Sequence, residues 1–536
     1  MKVAADEVQR VLALPVVEDK PLLDMSPWAL PGCPLPLNDV QRAALGQIAE
    51  VGSGFFPIGV GHGKTFIALL TGTVLGRDAV VFAPPHTISQ MRRELDRLRG
   101  SYRIGTVELV SYGLLSQPDG RKRVGALLRH LDPERVCFVL DEAHYLRAWT
   151  SARTKRMGDL LRLLPDAPVV ALSGTMTNRS LHDFAHLARW TLGKGSPVPE
   201  GHALAAWSEL VDQTRDLVFP TAESRSLTAP LLAWGGDGTA RDAFRRRMLT
   251  APGVVGTSDA AVSASLTLES LSATLSPALR EAVQQAIRYV YPDGREVQTP
   301  SERWLLLRTL SLGWWYELVW DESLPPDFFV ARSRWGQFLR ASRCTGLESE
   351  GVVASRCRSD AEQGLRTPWA AAWRAWEPWA DHPKPVRFAH HVDVALIERC
   401  VEIGSAYGEP VIYWYHYEET AEVLESLGVK VYRAGEEISE KAHTCAASIP
   451  SHGTGLNLQQ WRRAMVLELP TTGSAWEQLL GRLHRTGTPH DEIVFAVPQW
   501  SAAQKGAWQS AWADATYIEQ TTGQRQKVCA SMKIGL

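Results

Sequence analysis

The stretch Ile58-Gly59-Val60-Gly61-His62-Gly63-Lys64-Thr65 constrains this chain more than any other. It follows a Pro-containing turn at Pro57 and runs straight into the apolar, helix-favouring Phe66-Ile67-Ala68-Leu69-Leu70. Glycines in such a loop let backbone N–H groups curl around a polyphosphate, and the N-terminus of the next helix adds partial positive charge. A lysine at position 64 can reach β- and γ-phosphates, and the Thr65 hydroxyl can sit on Mg²⁺. The strict pattern asks for Gly six residues before Lys64, where Ile58 stands. The stretch is thus a relaxed P-loop, and an ordinary Gly-rich helix cap would fit it too. The segments downstream decide between the two.

Those segments alternate in a regular way. Ala79–Ala83, Thr106–Val110, Val136–Leu140 and Val169–Leu172 are short apolar runs of strand type, separated by helical patterns such as Thr87 to Leu98. The alternation predicts a parallel, doubly wound sheet, with ligands at the strand C-terminal ends. Asp141-Glu142 follows the third run and Ser173-Gly174-Thr175 the fourth. A carboxylate at that place can hold Mg²⁺ through its water shell, and its neighbour can orient or deprotonate an attacking water. Alone, an Asp-Glu pair after a strand is usually a solvated turn. With an upstream GxGKT in the same topology, it points to nucleotide chemistry.

Between residues 196 and 385 the alternation stops. Ser276–Val290 and Arg303–Trp320 carry helical periodicity, and Trp369, Trp373 and Trp376 line one helical face. Core packing is the expected role of that stripe, a base-stacking platform the alternative. Arg121-Lys122-Arg123 and Arg245-Arg246-Arg247 are the densest basic runs, readable as solvated faces or as phosphate contacts. From 386 the strand–helix alternation returns with Val411–Tyr415, Val429–Tyr432, Cys445–Ile449, Ala464–Leu467 and Ile493–Val497. This second unit has no P-loop but carries Gln478, Arg482 and Arg485. Paired arginines opposite a P-loop have a mechanical logic: they can act as fingers on a γ-phosphate held by the other unit.

At 536 residues the chain has room for about three domain-sized units. A formal charge of −2 gives no global nucleic-acid signature, so any polyanion must be met by local clusters. Seven cysteines without CxxC pairs read as scattered reduced thiols of a cytosolic protein, and no signal peptide or membrane-spanning run is expected.

Taken together, Gln41, GVGHGKT, VVFAPP, VSYGLLS, VLDEAH, ALSGTMTNR, IYWYH, HGTGLNL and QLLGRLHRTG resemble superfamily 2 helicases. Within them, the set is most similar to the Swi/Snf-type DNA-dependent ATPases, in a compact, phage-type form. The resemblance covers roughly 35–192 and 386–500. It implies an α/β protein with two RecA-like doubly wound lobes: a lead-in at 1–34, an ATP-binding lobe at 35–195, a mainly helical inter-lobe region at 196–385 and a second lobe at 386–536.

It further implies ATP and Mg²⁺ as cofactors, with Gln41 reading adenine and Gly61, His62, Gly63, Lys64, Thr65, Gly455 and Asn457 around the nucleotide. Thr65 and Asp141 would hold the metal; Lys64, Asp141, Glu142, Arg482 and Arg485 would be catalytic; Ser173, Thr175 and Gln478 would couple hydrolysis to motion. Pro85, Thr87, Ser111, Tyr112, Gly453 and Thr454 would follow a DNA backbone, with Phe244–Leu271 as connector and linker strand and Arg308–Tyr316 as helical protrusion. Met176 and His452 depart from the family pattern near backbone contacts. The expected activity is ATP-driven movement along duplex DNA in a bacterial or phage-infected cytoplasm. The alternatives are a strand-separating DNA or RNA helicase and an ATP-gated remodelling clamp.

Overall fold

The first half of the chain builds its sheet from β1 (Gly54–Pro57), β2 (Asp78–Ala83), β3 (Val107–Ser111), β4 (Val136–Asp141) and β5 (Val169–Ser173). All pairings are parallel, in the order β1-β5-β4-β2-β3. β1, β4 and β5 are buried along their whole length, as strands covered by helices on both faces must be. Register places Pro57 opposite Ser173 and Asp141 opposite Leu172. The loops that follow three adjacent strands therefore open at the same end. This is a computed structural model; it describes all residues except 1, 118, 148, 150, 175, 178, 213–220, 237, 258–263, 322, 343–349, 382–384, 440, 454–456 and 486.

A second all-parallel sheet follows. β6 (Ser265–Leu271) belongs to it, while β7 (Trp314–Val319) and β8 (Val386–His391) pair with each other as a separate antiparallel ribbon. The remaining strands are β9 (Val411–Tyr415), β10 (Lys430–Tyr432), β11 (Cys445–Ser448), β12 (Arg463–Val466), β13 (Glu492–Pro498) and β14 (Met532–Ile534). The order is β10-β11-β9-β12-β13-β6-β14. The α/β class with two parallel sheets thus holds.

Several boundaries fall elsewhere than expected. The lead-in is not loose: Lys2–Leu12 is a helix whose Ala4, Val8 and Val11 join the first core. Pro57 ends an edge strand instead of a turn; an edge tolerates proline's missing N–H. Residues 196–254 do not stand between units, because Trp207, Leu231, Phe244 and Met248 pack into the core that holds Phe55 and Phe138. β6 lies inside the supposed inter-lobe region yet pairs with β13 over seven residues. The residues from 386, expected to open the second sheet, form the ribbon strand β8 instead.

Arg303–Trp320 is helical only to Leu310, within the helix Pro300–Leu310. Gly313, at φ +90°, turns the chain against Asp393, where an added Cβ would meet the Asp393 carbonyl oxygen. The aromatic run Trp314-Trp315-Tyr316 then enters β7, so the expected helical protrusion at Arg308–Tyr316 is half strand. The tryptophan stripe packs as a core: Trp373 is buried against Trp335, with Trp369 and Trp376 beside it.

The helix Ala502–Thr522 packs on both halves of the molecule. It meets the helix Gly473–Leu483 on one side and Ala240–Leu249 on the other. Arg179 ties it to the first unit, donating to Asp514 Oδ1 and to Ser510 Oγ, both at 2.8 Å.

Candidate active site between the two sheets

The P-loop leaves β1 and enters the helix Lys64–Leu75. Gly63 sits at φ +74°, and a Cβ there would stand 2.2 Å from Gln41 Nε2, so the loop needs glycine for both its conformation and its underside. The Gln41 amide is engaged within the protein. Its Nε2 donates to Gly63 O at 3.2 Å, and its Oε1 accepts from Asn38 N at 2.9 Å as part of a capping box. Gln41 thus braces the loop from beneath and does not line the cleft; the expected adenine contact is not set up in this arrangement. Ile58, where the strict motif has Gly, is fully buried. Gly59 N is instead pinned by Thr257 Oγ1 at 2.9 Å.

Around the loop lies a cleft of about 90 Å³. Its walls bring Gly61, Gly63, Lys64 and Thr65 together with Asp141 and Glu142 from the first unit, and with Gln478, Arg482 and Arg485 from the second. Lys64 is nearly buried; its Nζ donates to Gly59 O at 3.3 Å and lies 3.9 Å from Glu142 Oε1. Glu142 adopts a left-handed backbone, φ 51°, uncommon for a side chain of this type and concentrated at functional sites.

Burial and the adjacent Glu142 carboxylate raise the Asp141 pKa. Burial acts the same way on Glu142, but the Lys64 ammonium and His144 outweigh it and hold Glu142 ionised, below the usual carboxylate range. Burial and Arg485 lower Arg482 to about 9, and burial lowers Arg485. Two desolvated guanidinium groups beside a desolvated lysine form a strongly electropositive cleft, the environment a polyphosphate needs.

A chain of polar contacts crosses the cleft. His144 Nδ1 is 3.0 Å from Ser173 Oγ and 3.3 Å from Glu142 Oε2, while its Nε2 is 3.2 Å from Gln478 Nε2. The Gln478 amide nitrogen can only donate, so Nε2 accepts and Nδ1 carries the proton. Ser173 and Gln478 thus meet through one imidazole.

Other expected residues are placed differently. Tyr112 is fully buried, stacked between Phe82 and Tyr145, so its side chain is closed to a nucleic acid. Thr87 lines the same cleft, its hydroxyl donating to Pro84 O. His62 faces a second cavity behind the loop. Gly453 is buried, and Asn457, exposed and donating to Gln459, is outside the cleft. Pro85 is exposed and Ser111 caps the next short helix. Thr175, Thr454 and Gly455 lie outside the described residues. Met176 is buried in the first core, and His452 Nε2 donates to Glu436 O at 2.9 Å. None of the three arginines 245–247 is presented as a phosphate contact: Arg247 is buried on the Leu14 and Pro15 carbonyls, Arg245 pairs with Asp242 and Arg246 with Glu18.

Sequence reading missed Tyr145, Gln90 and Met91 in the cleft wall. Tyr145 directly follows the acid motif, which was the one local signal. Among the described residues, no group of three or more His, Cys, Asp or Glu could hold a metal ion, and no helix is long and apolar enough to cross a membrane. No protein-family model matches the chain, and a search of curated proteins finds no match to it.

Proposed function

We propose that this chain is an ATP-driven DNA translocase, hydrolysing ATP between two RecA-like lobes to move along duplex DNA. The observation that carries the reading is the composite cleft: a P-loop and an acid pair from one sheet face two arginines from the other. The donor set suits Mg²⁺·ATP. Of the two carboxylates in the wall, Asp141 would join the Thr65 hydroxyl on the metal, enough for a magnesium ion held mainly by phosphates and water, and Glu142 is left for the water. Bound there, Mg²⁺ would neutralise charge on the β- and γ-phosphates.

Lys64 and the loop N–H groups hold the phosphate chain. Glu142, kept ionised by Lys64 and His144, orients the attacking water and can take its proton. Arg482 and Arg485 reach the transferring group only when the lobes are closed, so hydrolysis is tied to closure. His144 joins Glu142 and Ser173 to Gln478, giving a physical route by which the acid side senses the second lobe.

The DNA part of the reading rests on the family resemblance and on Pro85 being exposed. The discriminating experiment is ATPase activity without nucleic acid and with duplex DNA, single-stranded DNA or RNA. Duplex DNA is expected to stimulate most, with displacement of a triplex-forming third strand and an affinity that falls steeply with salt. Robust separation of a tailed duplex, stimulated mainly by single strands, identifies a strand-separating helicase instead.

A further inference from the structure

Behind the P-loop, the chain's last segment enters the interface between the sheets. After the helix Ala502–Thr522, Gln524 is buried, and its Nε2 donates to the Gly174 carbonyl in the loop after β5. Arg525 N donates to Thr257 O at 3.3 Å, the residue whose hydroxyl pins Gly59. Two residues on, Lys527 N donates to Glu477 Oε2 at 2.6 Å, and Lys527 Nζ lies 3.2 Å from His484 Nδ1. His484 Nε2 is 2.8 Å from Ala264 O, a carbonyl that can only accept. His484 therefore carries its proton on Nε2 and offers the Nδ1 lone pair to the Lys527 ammonium.

These contacts bear on one helix. Glu477, near the middle of the helix Gly473–Leu483, and His484, its C-cap, flank Arg482 in sequence, and His484 is the immediate neighbour of Arg485. In the last turn of the helix, Gly481 closes on the P-loop so tightly that a Cβ would stand 2.4 Å from Val60 Cγ1 and 3.8 Å from Lys527 Cε. Lys527 thus meets this helix twice, at Glu477 through its backbone and at His484 through its ammonium, beside the Gly481–Val60 contact.

We propose that Lys527 is a positioning residue for hydrolysis: through Glu477 and His484 it sets the placement of Arg485 in the cleft. The inference rests on the ATPase reading above. A lysine suits the task because its backbone N–H holds the buried Glu477 carboxylate while its side-chain ammonium reaches the imidazole of His484, seven residues further along.

The test uses the full chain with Mg²⁺·ATP, comparing wild type, Lys527→Met, Lys527→Arg, Arg485→Ala and the Lys527→Met/Arg485→Ala double variant. Lys527→Met is expected to lower kcat on the order of 10²-fold, the cost of displacing a catalytic group by about an ångström. KM for ATP should stay within about threefold, because the group acts after binding. Lys527→Arg should recover part of the loss. In the Arg485→Ala background, Lys527→Met should cost nothing further, since the group that Lys527 is proposed to place is already gone. If Lys527→Met does not fold, Lys527→Gln replaces it in the same comparisons. Wild-type kcat in the variant, a raised KM with kcat kept, or losses that multiply in the double variant each overturn the proposal while leaving the ATPase reading standing. A wild-type chain that does not hydrolyse ATP overturns both.

Discussion

The two parallel sheets are built alike and end differently. At the first, the chemistry lies in loops directly after strands: the P-loop after β1, Glu142 after β4, Ser173 at the end of β5. At the second, it rides on a helix, with Gln478 and Arg482 inside Gly473–Leu483 and Arg485 just beyond it. A loop at a strand end can wrap backbone N–H groups around a ligand, which a helix interior cannot, because its N–H groups are already bonded. A helix, in turn, holds long side chains in fixed directions, as groups that must reach across a cleft require. The contrast teaches that neither half is a complete site. On the proposed reading, the first binds, the second completes, and closure would join them.

Three changes would break or sharpen that division. The largest effect is expected from Lys64→Ala, on the binding side. It should abolish measurable ATP turnover, a loss of roughly 10³-fold or more, because backbone donors cannot replace a buried ammonium at the phosphates. Circular dichroism and thermal melting should remain those of the folded chain. Full turnover in a folded variant would remove the first sheet's claim to the nucleotide.

Next comes Arg485→Ala, on the completing side. Hydrolysis should fall roughly 10³-fold while nucleotide binding, followed by fluorescent-analogue titration, changes far less. Arg482→Ala is expected to behave similarly. If both variants hydrolyse at the wild-type rate, the second sheet contributes no fingers and the comparison fails.

The smallest effect concerns Asp514, which ties the two halves through Arg179. Burial raises its pKa to about 6, opposed by Arg179. A carboxyl whose folded pKa lies above its unfolded value contributes stability that is fully present below the unfolded value, near 4, and lost as pH rises through about 6. Relative to Asp514→Asn, wild type should therefore gain stability on the order of 1–3 kcal/mol as pH falls from 7 to 4. Chemical denaturation of both proteins across that range checks the sign. A gap independent of pH would show that Asp514 titrates normally and that the bridge is solvated.

Much of this was readable before any fold. The strand Val411–Tyr415 lies where its apolar run stands, and the other expected strands of both sheets begin or end within a residue or two of their runs. Parallel strands buried on both faces advertise themselves as short uninterrupted apolar stretches. The helix Lys2–Leu12 was also legible, through Ala4, Val8 and Val11 at helical spacing, but its charged residues disguised it. β7 was hidden by the opposite confusion: Trp314-Trp315-Tyr316 continues a helical period in sequence, and only the turn at Gly313 ends it.

By itself, then, the sequence determined the chemistry at each strand end, because a motif is a local arrangement of residue types and its spacing fixes what it can hold. Tertiary structure alone decided which motifs share a cleft, that Tyr112 is buried, that Gln41 braces the loop, and that β6 and β14 cross chain distance to sit side by side. Those outcomes depend on pairings between residues far apart in sequence, as Lys527 beside Val60 shows, and no local period records which distant partner wins.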